Sequence, residues 1–286
     1  MCLNLTLIRK FVQMNQSCIV KSSVDHKILP QNGYSIHYFV SGSTTGETIV
    51  FLHPAFTDHH AFNHQIDYFS ERYRVITIDM LGHGLSQMEK SKDKLDATIH
   101  HIDAILKLEG IKSAHLVGVS MGSLLAQYFA LQFPQSVCSV TVVGGYDICA
   151  NNVEIQKAQN KELFKWIFKA IFSMDSLRRY LASVSVFNAE EKENFYTMAQ
   201  NFTRKSFLAM SGLGKVIKER PDYIRTYPLL ILCGRKDLKI TLNAAKMWHD
   251  SDPTSDYFVI ISAGHCANMD KPEEFNMILE SFIVGK

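Results

Sequence analysis

Hydrophobic and polar positions along this chain alternate between two periods, and the alternation predicts the architecture. Short runs rich in Val, Ile, Leu and aromatic residues occur at 24–29, 34–40, 48–52, 75–79, 114–118, 137–143, 229–233 and 257–261. Those at 48–52 (T-I-V-F-L) and 229–233 (L-L-I-L-C) are apolar almost throughout, the pattern of a strand buried on both faces. Asn32-Gly33 marks a tight turn between the first two runs. Segments with helical spacing lie at 61–69, 95–108, 121–133, 242–249 and 273–282; in 95–108, Leu95, Ile99, Ile102, Ile105 and Leu106 fall on one stripe. Strands that alternate with helices imply a mostly parallel sheet covered on both faces.

The alternation stops between residues 147 and 227. This stretch carries no convincing strand, and its apolar residues recur at helical spacing: Leu163, Trp166, Ile167, Ala170, Ile171; Leu177, Tyr180, Leu181; Phe195, Met198, Phe202; Phe207, Met210. About four helices are expected, packed mainly on one another, with a few aromatic residues facing inward over a site. The domain reading is an N-terminal extension at 1–22, a core at 23–146 and 228–286, and a helical lid insert at 147–227. Arg9 and Lys10 follow the apolar start instead of preceding it, which argues against a signal peptide; Met14 is an alternative start.

Composition narrows the function classes. At 286 residues, 47% hydrophobic and 20% charged, the chain can bury a large core and does not read as disordered. A formal net charge of +2 gives no field to recruit nucleic acid, so a small, mostly neutral substrate is expected. The six cysteines show no metal-ligand or C-x-x-C spacing and read as free thiols, consistent with a cytoplasmic location. No run reaches the ~20 apolar residues of a membrane span. His59, His60, His64, His100 and His101 are expected at the surface, with no metal and no cofactor.

The strongest chemical signal is Gly118-Val119-Ser120-Met121-Gly122, which fits G-x-S-x-G between an apolar strand and a helix. Ser120 is the candidate nucleophile: on a sharp turn the glycines at 118 and 122 let neighbouring chain pass close without a Cβ clash, and the following helix aims its N–H groups at developing negative charge. A serine hydroxyl needs a base. His265, on the loop after the run at 257–261 and preceded by Gly264, is the candidate. The imidazole in turn needs a carboxylate. Asp237, just past the run at 229–233, gives the chain order Ser–Asp–His, with Asp147 as the competitor. The oxyanion donors are expected to be the N–H of Met121 and that of Ala55, with Phe56 as fallback, since Pro54 has no N–H. His53 is expected to brace this loop. Phe56 and Trp166 are candidate pocket residues. The glycine-rich D-M-L-G-H-G-L-S at 79–86 reads as a structural loop and not a phosphate cradle.

Taken together, H-P-A-F at 53–56, D-M-L-G-H-G-L-S at 79–86, G-V-S-M-G at 118–122, G-R-K-D at 234–237 and Gly264-His265 resemble the α/β-hydrolase superfamily. The resemblance implies an α/β-hydrolase fold: an eight-stranded, mostly parallel sheet with helices on both faces and an inserted four-helix lid after the sixth strand. It covers most of the chain from about residue 24 to 283, and is more specific to the fold than to a reaction. Relatives usually carry His-Gly where this chain has His53-Pro54, a change that stiffens the oxyanion loop. A serine at 120 argues against the epoxide- and haloalkane-cleaving relatives, which use aspartate. Carboxylic ester hydrolysis, on acyl or aryl groups of modest size, is the expectation. C–C bond hydrolysis, thioester or lipid hydrolysis, release of N-terminal proline and acyl transfer share the triad. A lidded ligand-binding receptor is the reading from another class. A homodimer is an assembly the sequence leaves open.

Overall fold

The computed structural model describes residues 23–88 and 92–285; the expectations for residues 1–22, including Met14, lie outside them. Eight strands form one sheet: β1 (Asp25–Gln31), β2 (Tyr34–Gly42), β3 (Thr48–Leu52), β4 (Arg74–Ile78), β5 (Ala114–Val119), β6 (Val137–Val143), β7 (Leu229–Gly234) and β8 (Asp256–Ile260), in the order β1-β2-β4-β3-β5-β6-β7-β8. The pairs β1–β2 and β2–β4 are antiparallel and all others parallel. Asn32 and Gly33 make the two-residue turn between β1 and β2, with Gly33 at φ 86° and Gln31 opposite Tyr34. Pro30, which cannot donate to a ladder, sits on edge strand β1.

Successive side chains of a central strand enter opposite layers. Val50 and Leu52 join one core with Ile99, Ile102 and Phe129; Ile49 and Phe51 join the other with Phe62, Phe69 and Phe275. Helices α1 (Asn63–Phe69) and α11 (Pro272–Val284) cover the second face. Helices α2 (Thr98–Leu108), α3 (Met121–Gln132) and α9 (Lys239–Ser251) cover the first. The expected stripe of Leu95, Ile99, Ile102, Ile105 and Leu106 is buried throughout. The helical starts expected at 61 and 95 are 3-10 turns, His59–Phe62 and Leu95–Ala97, that lead into α1 and α2.

Between β6 and β7 lie five helices, not four: α4 (Val153–Phe172), α5 (Met174–Ser185), α6 (Ala189–Ala199), α7 (Ser206–Met210) and the four-residue α8 (Leu213–Val216). Leu213 to Val216 is a single turn, too short to leave a period in the sequence. Strand β8 is shifted one residue from its expected bounds; on the sheet edge its Phe258 stays partly exposed, so its apolar run does not mark burial on both sides.

Candidate active site

Strand β5 ends in a turn whose sterics explain its glycines. A Cβ on Gly118 would lie 2.4 Å from the Gly122 carbonyl carbon, and one on Gly122 would lie 2.0 Å from the Leu52 carbonyl oxygen. Only glycines let β5, α3 and the end of β3 pass this closely. Between them Ser120 is held at φ 51°, ψ −116°, a strained conformation for a residue with a side chain. Its N–H donates to the Val143 carbonyl on β6 at 2.7 Å, and its carbonyl accepts the Ser123 hydroxyl at 2.6 Å. Met121 opens α3, so its N–H belongs to the unpaired first turn beside the serine.

Strands β7 and β8 deliver the other two candidates. Asp237 Oδ2 lies 2.9 Å from His265 Nδ1. The other oxygen, Oδ1, accepts the Leu238 N–H at 2.6 Å. The Asp237 side chain is 1% exposed, whereas that of His265 keeps 23% exposure. Burial alone would lower the imidazole pKa, but the charge and hydrogen bond of Asp237 outweigh it and raise the pKa above the ordinary value. The ring packs over Gly144, where an added Cβ would lie 3.0 Å from Nδ1. Gly144 adjoins Val143, the residue whose carbonyl accepts the Ser120 N–H at the end of β6. The competitor Asp147 makes other contacts: its Oδ1 accepts the Cys149 N–H at 2.8 Å, and it lines a cleft with Tyr223, Arg225 and Trp248. Burial raises its pKa.

The loop after β3 is fixed by His53. Its Nε2 accepts the Met80 N–H at 3.1 Å, which leaves Nδ1–H to donate to the Pro54 carbonyl at 2.8 Å. Burial lowers its pKa and keeps the ring neutral. His53 therefore braces the loop, as expected. Pro54 opens a turn in which its carbonyl accepts the Thr57 hydroxyl at 2.9 Å and Phe56 takes φ 71°. Neither the Ala55 nor the Phe56 N–H donates to any group among the described residues. Phe56 is 3% exposed and packs on Trp166, Phe202 and Phe207, with ring centroids 5.3, 4.4 and 6.1 Å away. The two expected pocket residues thus meet where the inserted helices cover the loop after β3. The Trp166 indole N–H is buried without a partner among the described residues.

Asp270, on the short helix α10 (Ala267–Asp270), escaped sequence reasoning. Its Oδ2 accepts the Gly264 N–H, and its Oδ1 accepts the N–H groups of Phe187 and Asn188, all at 2.7 Å. Ser185 adds a second tie by accepting the Cys266 N–H at 2.9 Å. The α5–α6 turn is thereby attached on both sides of His265. The only hint in the sequence is an acidic residue between His265 and Pro272.

Two of the histidines expected at the surface are buried. His59 is held by Asp79, Nδ1 to Oδ1 at 2.8 Å, and His101 meets the Tyr34 hydroxyl at 2.8 Å; each is drawn inward by a polar partner. Asp58, His59 and His60 place potential ligand atoms within 4.8 Å of one another, but Asp79 and Asp58 already engage Nδ1 of His59 and His60. Asp79 also accepts the Leu85 N–H at 2.8 Å, which pins the 79–86 loop as a structural element. Cys138, Cys149, Cys233 and Cys266 are free thiols; Cys2 and Cys18 lie outside the described residues. No helix among the described residues is long and apolar enough to cross a membrane.

Comparison with known proteins agrees with this fold. The family model for the alpha/beta hydrolase fold matches residues 47–173. The chain is similar to a 2-hydroxy-6-oxononadienedioate/2-hydroxy-6-oxononatrienedioate hydrolase of Paraburkholderia phymatum, 28% identical over 87% of this chain and 90% of that protein. It is also similar to 3-oxoadipate enol-lactonase 1 of Acinetobacter baylyi, 25% identical over 90% of this chain and 97% of that one. Among solved structures, a carboxylesterase from the thaumarchaeon Nitrososphaera gargenis superposes with a TM-score of 0.75 at 18% identity, covering 91% of this chain and 98% of the other. With its eight-stranded sheet and the match to the family model, the chain has the α/β-hydrolase fold and is similar to hydrolases that share it.

Proposed function

We propose that this protein is a serine hydrolase that cleaves carboxylic esters of small to medium acyl or aryl substrates through an acyl-enzyme. The observation that supports the reading is the Asp237–His265 hydrogen bond, together with the strained backbone of Ser120 at the end of β5. With Nδ1 engaged by Asp237, Nε2 of His265 is the basic nitrogen left for the serine. It takes the Ser120 proton as Oγ attacks the ester carbonyl. The oxyanion is held by the N–H of Met121 and that of Ala55 or Phe56. The imidazolium then protonates the departing alcohol. Water, deprotonated by His265, attacks the acyl-enzyme and releases the acid. Asp237 keeps the ring oriented and stabilises its charged form. No cofactor enters any step.

The segment at 147–227 serves as the lid in this reading, its Trp166 resting on Phe56 of the core. Phe56, Trp166, Phe202 and Phe207 supply ring faces that suit an apolar acyl or aryl group. A second reading, hydrolysis of a carbon–carbon bond in a diketone, is favoured by the similarity to the Paraburkholderia hydrolase. The dienedioate acids that protein acts on would call for cationic groups, which an aromatic wall does not offer.

Labelling with a fluorophosphonate, followed by turnover of p-nitrophenyl esters of graded chain length and of a 2-hydroxy-6-oxodienoate, tests the proposal. Labelling lost in Ser120→Ala, with ester turnover well above diketone cleavage, is the expected result. Labelling that persists in Ser120→Ala, or labelling with no turnover of any ester, would overturn it.

A further inference from the structure

Helix α4 carries its two sides in opposite directions. At ~100° per residue, Phe164, Ile167, Phe168, Ile171 and Phe172 fall within about 140° of arc. They are 73, 40, 63, 63 and 74% exposed. Ala170, on the far side, is buried, and Trp166 on that side reaches Phe56. Three phenylalanines and two isoleucines open to water on one helix form a contiguous patch, not the scattered apolar residues of an ordinary surface. The sequence period is compatible with either side facing in; the structure leaves Phe164, Phe168 and Phe172 outside.

Beside this stripe runs a lysine at every fourth position: Lys157, Lys161, Lys165 and Lys169. The row starts on the stripe's face and drifts to its flank, because four residues advance ~40° beyond a full turn. Glu154 and Glu162, the two acidic residues of α4, each pair with a lysine of the row, Lys157 and Lys165, so the row keeps an excess of positive charge. An apolar stripe of aromatic residues flanked by lysines is the build of a helix that lies in the plane of a lipid surface, its rings among the acyl chains and its ammonium groups at the headgroups. A second copy of the chain fits less well. A two-fold contact through the stripe would set one lysine row against the other.

We propose that the outer face of α4 docks on an anionic lipid surface, and that the protein works as a peripheral enzyme at that surface. The helix that docks is the one whose inner side rests, through Trp166, on Phe56. The surface argument is independent of Ser120 and is tested apart from it.

The test is co-flotation of the full chain with phosphatidylcholine vesicles, with and without phosphatidylglycerol, using Ser120→Ala alongside wild type. Both proteins are expected to float with the anionic vesicles and far less with the neutral ones. Phe164→Ser/Phe168→Ser/Phe172→Ser is expected to weaken binding ~10-fold or more, and Lys161→Glu/Lys165→Glu to remove the preference for anionic lipid. The single variants Phe164→Ser and Phe172→Ser replace exposed side chains and keep the test open if the triple variant folds poorly. Absence of flotation for wild type would overturn the proposal. So would light scattering that shows a dimer dissolved by these substitutions while vesicles bind nothing.

Discussion

Asp270 accepts the Phe187 N–H at 2.7 Å on one carboxylate oxygen and, with the other, holds the Gly264 N–H beside His265. One buried carboxylate therefore joins the α5–α6 turn to the loop that carries the candidate base. Charge-assisted hydrogen bonds of this kind contribute about 1.5–3 kcal/mol each, and three donors would be stranded by its loss. Asp270→Ala is expected to lower stability by about 2–4 kcal/mol in urea unfolding. In the folded fraction it should reduce kcat more than it raises KM, because the base shifts while the aromatic wall stays. Asp270→Asn, which retains one acceptor, should recover part of kcat. Equal loss in both variants, confined to protein yield, would reduce Asp270 to a fold-stabilising role.

The Asp237–His265 contact yields a sharper set of substitutions. Ser120→Ala and His265→Ala are each expected to lose at least ~10³-fold in kcat, and Asp237→Asn somewhat less. Asp147→Asn should stay near wild type, since that carboxyl is occupied by Cys149. Steady-state kinetics on a p-nitrophenyl ester measures all four. A silent Asp237→Asn beside a dead Asp147→Asn would transfer the acid's role to Asp147.

The G-x-S-x-G turn, most of the strands and the order of the candidate triad were legible in the sequence because each is written locally: an apolar run, a glycine, a loop residue just after a strand. What escaped depends on partners distant in the chain. Asp270 acts on Phe187 and Asn188 across 83 and 82 residues, and His101 is buried by Tyr34 across 67. No periodicity reports such pairings. The side of α4 that faces solvent was hidden for a related reason. Ile167 and Ile171 share the helical spacing of Leu163, Trp166 and Ala170, and only the position of Phe56 decides which side turns inward.

The raised pKa of His265 predicts a pH profile. Only the neutral imidazole can take the serine proton, so kcat/KM should rise with pH along an acid limb centred above the ordinary histidine value. In Asp237→Asn the charge that holds the proton is gone while burial remains. The residual activity should then show a limb moved to lower pH. The pH dependence of kcat/KM for the two proteins checks this; an unmoved limb would assign the titration to another group.

A second histidine sets a pH dependence on the inserted helices themselves. His64 on α1 meets Glu191 on α6, Nε2 to Oε1 at 2.7 Å, one of the side-chain ties between the core and the segment at 147–227. The hydrogen bond to Glu191 raises the His64 pKa against the opposing effect of burial. Burial of Glu191 is in turn outweighed by His64 and Asn194, which lower its pKa. A histidine pKa raised by folding adds stability that is complete below the unfolded value and fades as pH climbs through the folded one. A carboxylate pKa lowered by folding adds stability that is complete above its unfolded value and fades in acid. The pair is therefore strongest between the two ranges, and it loosens first on the alkaline side as His64 becomes neutral. Amide hydrogen exchange of α6, corrected for the intrinsic pH effect, is expected to quicken above the His64 transition. His64→Gln should show quick exchange at every pH, while the exchange of β5 and β6 stays unchanged. Protection of α6 that ignores both pH and the substitution would show that Asp270 and Ser185 hold the turn unaided.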